Sequence, residues 1–126
     1  MRRIDRIELP MDIGDLLAEK QTLADAAFAA GTLDVDAVWK TARQTATLAG
    51  VYQTLRKMSG ERERCMYCED SHGTDIEHFW PKKPYPEKMF HWLNFLLCCA
   101  ECGRFKGKQF PLDPFDNMPM LSLIHI

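Results

Sequence analysis

The chain has 126 residues, of which 46% are hydrophobic and 27% are charged, and its formal net charge is −2. This composition is typical of a globular protein, and the length suits one modest domain or a small module with a helical extension. No apolar run approaches the roughly 20 residues that cross a membrane, and the N-terminus lacks the apolar core of a signal peptide. We therefore expect a cytoplasmic protein with no membrane partner, whose five cysteines are reduced rather than paired as disulfides.

The first sixty residues are predicted to form a helical N-terminal extension, residues 1–60. Apolar residues recur at helical spacing from about Met11 to Ala30, and Gly31 supplies a C-terminal stop. The positions predicted to face inward are Ile13, Leu16, Leu17, Leu23, Ala27 and Phe28. This pattern predicts the first of two antiparallel helices.

A second helix is predicted to follow and to end at Ser59-Gly60. Asp34 or Asp36 can cap its N-terminus. Its predicted inward positions are Val38, Ala42, Thr45, Leu48, Val51, Tyr52 and Leu55. Gly50 inside this helix either marks close packing or costs about 1 kcal/mol of helix stability. We expect the helical pair to serve as a scaffold or a docking surface rather than to carry chemistry.

The chain then changes to short elements, aromatic residues and prolines, and residues 61–116 are predicted to form a second module. Thr74 to Trp80 suits a strand, and Trp92 to Leu97 suits another. The stretch 82–91 between them contains two prolines and is predicted to be a loop. Cys99 to Lys108 can open a short helix. The expected fold class is therefore α+β.

The last ten residues, 117–126, are predicted to be an irregular tail. Leu121-Ser-Leu-Ile-His-Ile126 looks like the one-frame translation of a transposon end used in sequencing-library adapters. We therefore interpret residues 121–126 as an artefact that truncates a longer chain after about Met120, the alternative being a short hydrophobic strand.

Two Cys-x-x-Cys pairs bracket the middle of the second module. The cysteines are Cys65, Cys68, Cys99 and Cys102. Two residues between ligands let one turn present both thiolates to one ion, and four thiolates close a structural zinc site. Buried or reactive cysteines, as in a redox or zinc-sensing protein, are the alternative. Cys98 is the fifth cysteine, and we expect it to pack in the core, although it offers an alternative ligand to Cys99.

Glu77-His78 lies between the two cysteine pairs and suggests catalysis. Phosphodiester hydrolysis needs a water deprotonated near neutral pH, and imidazole is the side chain poised to do so. It also needs a divalent cation, for which Mg2+ or Mn2+ would take the carboxylate oxygen of Glu77 as a ligand. A lone histidine is more often a hydrogen-bonded core residue, but the flanking metal site favours His78 as general base.

These motifs together resemble the HNH endonucleases, the zinc-stabilised His-Me finger class. The resemblance covers residues 65 to 107 and includes the pattern Cys65-x-x-Cys68, Glu77-His78-Phe-x-Pro81-Lys82, Trp92-x-Asn94-x-Leu96-Leu97-x-Cys99-x-x-Cys102-x-x-x-Lys106-Gly107. It implies a ββα-metal fold, a β-hairpin and a helix around the active site. It also implies that His78 activates water, that Glu77 helps to hold one divalent ion, and that Asn94 braces the loop.

One position departs from the family pattern. The residue after the last zinc cysteine is commonly Asn or His in the family and completes the metal site, whereas here it is Gly103. Another group or a water must fill that place, or the site binds metal weakly or not at all. Gly103 therefore keeps open an inactive descendant that binds nucleic acid or protein through its zinc-held fold.

Basic residues are concentrated around the cysteine pairs. Residues 56–108 carry ten Lys and Arg against eight Asp and Glu, whereas the rest of the chain carries six against ten. Phosphate contacts require only such a local patch, although an ordinary solvated face explains it equally well. The candidates for contact with the nucleic-acid backbone are Lys82, Lys83, Arg104, Lys106 and Lys108.

The sequence thus predicts a metal-dependent endonuclease that hydrolyses phosphodiester bonds of DNA. Its expected cofactors are a structural Zn2+ and a catalytic Mg2+ or Mn2+. The helical N-terminus beside this HNH arrangement also looks like small nucleases of anti-phage defence systems, which implies an ATPase partner.

Overall fold

The computed structural model describes residues 5–69 and 71–106. Its regular elements are the helices α1 (Met11–Ala29), α2 (Val35–Ala42) and α3 (Ala46–Met58), the strands β1 (Asp75–His78) and β2 (Phe95–Cys98), and the helix α4 (Ala100–Lys106). Helices combined with a small two-stranded sheet confirm the α+β class. Within the described residues, no helix is both long and apolar enough to cross a membrane.

The second predicted helix is in fact two helices, so the prediction of a helical pair was wrong. Asp34 caps α2 by accepting a hydrogen bond from the Ala37 amide at 3.1 Å. Thr45 then adopts an extended backbone, with φ −86° and ψ 158°, and its side chain caps α3. An N-capping threonine starts a new helix because its side chain satisfies an amide that lacks a helical partner. The predicted stop at Gly31 is confirmed, since its φ of 73° is the left-handed conformation typical of a helix C-terminus.

The buried face of α1 differs from the predicted one. Its buried residues are Leu17, Gln21 and Ala24. Leu23 and Phe28, which we expected to face inward, are 71% and 64% exposed. The face of α1 is selected by its contacts with α3 and with the loop near residue 86, which helical periodicity alone does not specify.

Helices α1 and α3 approach each other closely at Gly50. A Cβ at this position would lie 2.7 Å from the Cδ1 atom of Ile13 on α1. The close-packing interpretation of Gly50 is therefore supported, because a larger residue here would require the Ile13 side chain to move.

The strands form an antiparallel pair in the register Asp75 with Cys98 and His78 with Phe95. Both are shorter than predicted: β1 ends before Trp80, and residues 92–94 form a single 3-10 turn that precedes β2. Every residue of β2 is buried. The phenylalanine and the two leucines of β2 belong to a hydrophobic cluster to which α1, α2 and α3 also contribute.

The predicted division of the chain at residue 60 stays a prediction, although core residues from both sides of it belong to one cluster. The short helix predicted within Cys99 to Lys108 is confirmed as α4 over Ala100–Lys106, and residues 107 and 108 lie outside the described residues. The tail 117–126, with the proposed adapter segment 121–126, lies outside the described residues.

Candidate active site and metal centre

The four predicted cysteine ligands lie together. The Sγ atoms of Cys65, Cys68, Cys99 and Cys102 are all within 4.8 Å of one another. A tetrahedral zinc site with Zn–S bonds of about 2.3 Å separates its sulfurs by about 3.8 Å, and the Sγ atoms of Cys68 and Cys99 are 3.9 Å apart. The four cysteines are therefore positioned to bind a metal ion.

The backbone around this cluster supports metal binding as well. The amide of Tyr67 donates to Cys65 Sγ, and the amide of Cys102 donates to Cys99 Sγ, each at 3.4 Å. Such amides stabilise negative charge on sulfur, which metal binding requires. Burial and hydrogen bonds from the Cys102 thiol to the neighbouring sulfurs raise the pKa of Cys102, so an incoming metal ion displaces protons when it binds.

Cys98 is excluded from the cluster, as we expected. Its side chain is fully buried, and its thiol donates a hydrogen bond to its neighbour's carbonyl, Cys99 O, at 2.9 Å. Burial raises the pKa of the Cys98 thiol, so it stays protonated. The alternative in which Cys98 replaces Cys99 as a ligand is not supported.

His78, the predicted general base, is at the end of β1 and is only 5% exposed. Its Nε2 atom is 2.9 Å from the carbonyl oxygen of Met89. A carbonyl only accepts hydrogen bonds, so Nε2 carries the proton in the neutral ring and Nδ1 carries the lone pair. In this tautomer Nδ1 is the basic nitrogen of the ring.

Asn94, the predicted brace, is 3% exposed and bonds to the main chain on two sides. Its Oδ1 atom accepts from the Trp80 amide at 2.7 Å. Its Nδ2 atom donates to the carbonyls of Trp80 and Lys88, at 3.1 and 3.0 Å. Asn94 thus connects the segment just after His78 to the loop that supplies the histidine's carbonyl partner.

Glu77 lies opposite the position at which the sequence departs from the family pattern. A Cβ placed on Gly103 would be 3.6 Å from Glu77 Oε2. A ligating side chain at residue 103 would therefore share the space in front of the Glu77 carboxylate. The structure brings Glu77 and this position together and provides no side chain at Gly103 to complete a metal site.

Glu77 and His78 line a cavity of about 880 Å³. Three of the predicted phosphate contacts, Lys82, Lys83 and Arg104, also line it. Both lysines lie near the Asp36 carboxylate, at 4.0 Å for Lys82 and 2.8 Å for Lys83. The hydrogen bond to Asp36 raises the pKa of Lys83.

The two remaining residues predicted to contact the nucleic-acid backbone are Lys106 and Lys108. Lys106 is the last residue of α4, and Lys108 lies outside the described residues. Their role in binding a nucleic acid stays a prediction.

The helical segment contributes a wall of this cavity, which the sequence analysis missed. Trp39 on α2 packs edge-on against the His78 ring, with ring centroids 4.4 Å apart. The sequence did contain a signal, because a tryptophan next to the predicted inward residue Val38 is a large apolar side chain that requires burial. The helices thus line part of the candidate site, a contact that agrees with the scaffold role we expected of them.

Part of the chain is similar to Septu protein PtuB from Bacillus thuringiensis. The two are 34% identical over 61 residues, a segment that makes up 44% of this chain and 24% of the relative. The chain thus spans about a quarter of the length of that protein. No family model and no solved structure matches the chain.

Proposed function

We propose that this chain is a metal-dependent endonuclease of anti-phage defence that hydrolyses phosphodiester bonds of DNA. The observation that carries the proposal is the buried His78 ring, whose Nε2–H donates to Met89 O and which lines the same cavity as Glu77. The similarity to a Septu protein, PtuB, supports the assignment to defence. The proposed ATPase partner rests on the resemblance to the small nucleases of defence systems.

In this proposal, Nδ1 of His78 takes the proton from the attacking water. The hydrogen bond to Met89 O keeps Nε2 as the protonated nitrogen, and Trp39 keeps the ring in place. A general base of this kind typically contributes about 10²–10⁴-fold to the rate. Asn94 fixes the main chain on either side of the ring by its bonds to Trp80 and Lys88.

Two metals have separate roles in the proposal. The four cysteines would hold a structural Zn2+ that fixes the two ends of the module. Glu77 would provide a carboxylate for a catalytic Mg2+ or Mn2+, which when bound neutralises charge on the phosphate and the leaving oxygen.

The cavity also contains the groups that would hold the DNA backbone. Lys82, Lys83 and Arg104 provide positive charge next to Glu77 and His78. Phosphate contacts of this kind position a substrate without reading its sequence. Because Asp36 already pairs with Lys83, a bound phosphate must compete with this carboxylate for the lysine.

The second candidate function is a catalytically inactive module that binds nucleic acid or protein. The specific observation that favours it is Gly103, which brings no metal-ligating side chain to the space beside Glu77 Oε2. Under this alternative, the basic residues of the cavity bind a backbone that is never cleaved.

Plasmid nicking tests the two candidates. Zinc-loaded protein is incubated with supercoiled DNA and Mg2+ or Mn2+, with His78→Ala as the variant and His72→Ala as the control. His72 is an exposed histidine that does not belong to the cavity. We expect nicking by the parent and the control, and a rate lower by about 10²-fold or more for His78→Ala. DNA binding without nicking by the parent would refute the nuclease and favour the binding module.

A further inference from the structure

The main-chain carbonyl that binds the His78 ring belongs to a loop whose regular structure is one short 3-10 turn. Met89 O lies directly after the single 3-10 turn Pro86–Lys88. Main-chain hydrogen bonds within the loop join residues three or four positions apart, among them the bond from the Met89 amide to Pro86 O at 3.2 Å. Such short-range bonds shape single turns, so contacts from other elements are needed to fix the position of the loop against the rest of the fold.

Gln21 on α1 provides two of these contacts. Its Nε2 atom donates to Pro86 O at 3.0 Å, and its Oε1 atom accepts from the Phe90 amide at 2.8 Å. The amide orientation follows from its partners, because a carbonyl only accepts and a main-chain N–H only donates. Gln21 therefore holds the loop on both sides of Met89.

The position of Gln21 makes this contact stronger than a surface hydrogen bond. The side chain is 7% exposed and interrupts the buried face of α1 between Leu17 and Ala24. A buried amide is unfavourable unless its hydrogen bonds are satisfied. Gln21 satisfies them with the loop and with Asp25 Oδ1, to which Nε2 also donates at 2.8 Å.

We infer that Gln21 is a positioning residue for His78, acting through the main chain of residues 86–90. The chain of contacts runs from the Gln21 amide to Pro86 O and Phe90 N, and from Met89 O to the imidazole Nε2. The inference rests on the proposed role of His78. It assigns to helix α1 a part in setting which imidazole nitrogen carries the proton.

Nuclear magnetic resonance of the zinc-loaded protein tests this inference directly. The 15N shifts of the His78 ring report the tautomer, and the exchange of its Nε2 proton with water reports the hydrogen bond. In the parent we expect the Nε2–H tautomer and a protected proton. In Gln21→Met, which keeps the volume but removes both loop contacts, we expect the Nδ1–H tautomer to appear and the proton to exchange about tenfold faster or more.

Two matched controls separate positioning from loss of stability. Asp25→Ala removes the contact of Gln21 that does not involve the loop. Thr54→Val removes a different buried hydrogen bond, the one from Thr54 Oγ1 to Gly50 O. Neither control should change the tautomer. If Gln21→Met leaves the His78 signals unchanged, or if Thr54→Val alters them equally, the inference is overturned.

A second variant applies if Gln21→Met does not fold. Gln21→Glu keeps an oxygen for the Phe90 amide but directs another oxygen at Pro86 O, so we expect the same changes at His78. Nicking is measured in parallel. If the His78 signals change in the Gln21 variants but the parent does not cleave DNA, the positioning role is supported and the nuclease is refuted. The failure of the positioning role and the failure of the proposed function are therefore distinguishable.

Discussion

Replacement of Asn94 gives the sharpest test of how the candidate site is held together. Its amide makes three hydrogen bonds to main-chain atoms, one to the Trp80 amide and two to the carbonyls of Trp80 and Lys88. A hydrogen bond contributes about 1 kcal/mol net, and an unsatisfied buried partner costs more. We therefore expect Asn94→Ala to lower the free energy of unfolding by about 3 kcal/mol.

The isosteric variant Asn94→Asp separates hydrogen bonding from volume. The aspartate keeps an acceptor for the Trp80 amide but replaces the Nδ2 donor by an anionic oxygen that faces two carbonyls. Burying this oxygen against two acceptors is unfavourable. We expect Asn94→Asp to be at least as destabilising as Asn94→Ala, although it preserves the shape of the side chain.

Urea denaturation followed by tryptophan fluorescence measures both effects at saturating zinc. Glu87→Ala is the control, because Glu87 is an exposed residue in the same loop as Lys88, and its loss should change stability by no more than about 0.5 kcal/mol. A loss of less than 1 kcal/mol for Asn94→Ala, or parent-like stability for Asn94→Asp, would refute the bracing argument.

Two further predictions concern the metal sites. After gel filtration, Cys98→Ala should retain one zinc ion per chain and Cys68→Ser should not, because Cys68 belongs to the four-sulfur cluster and Cys98 does not. Equal zinc contents of the two variants by elemental analysis would contradict this assignment. Gly103→Asn should tighten Mn2+ binding about tenfold or more, since for this change the added ligand needs to contribute only about 1.4 kcal/mol. The asparagine fits, because a Cβ at residue 103 would make ordinary contacts 3.5 Å from Cys98 Sγ and 3.6 Å from Glu77 Oε2. Titration calorimetry checks the affinity, with Gly103→Asn combined with Glu77→Gln as control; an unchanged affinity in Gly103→Asn would mean that residue 103 does not reach the ion.

The features that the sequence predicted well are local ones. The spacing within each cysteine pair is local, and because one tetrahedral site needs four thiolates, two such pairs predict the sulfur cluster even though they lie far apart along the chain. Gly31 and Asp34 also act on their immediate neighbours: the end of α1 was correctly located, and Asp34 was one of the two predicted caps of α2.

The features that it missed depend on contacts between distant residues. Trp39 and Gln21 lie far along the chain from residues 78–90, and nothing in their local pattern names those partners. The break before α3 was missed because Thr45 fits the helical period and also serves as a cap. A polar residue such as Gln21 on an otherwise apolar face is the signal that would have indicated a specific buried contact.

Neighbouring side chains bind the loop of residues 86–90 through its main-chain atoms. Gln21, His78 and Asn94 all bind its carbonyls or its amide. These contacts do not depend on the identity of an exposed side chain such as Glu87, but a deletion would move the later carbonyls by about 3.8 Å, beyond the range of any hydrogen bond. Evolution should therefore tolerate exchanges at the exposed position of this loop far more readily than a change in the number of its residues.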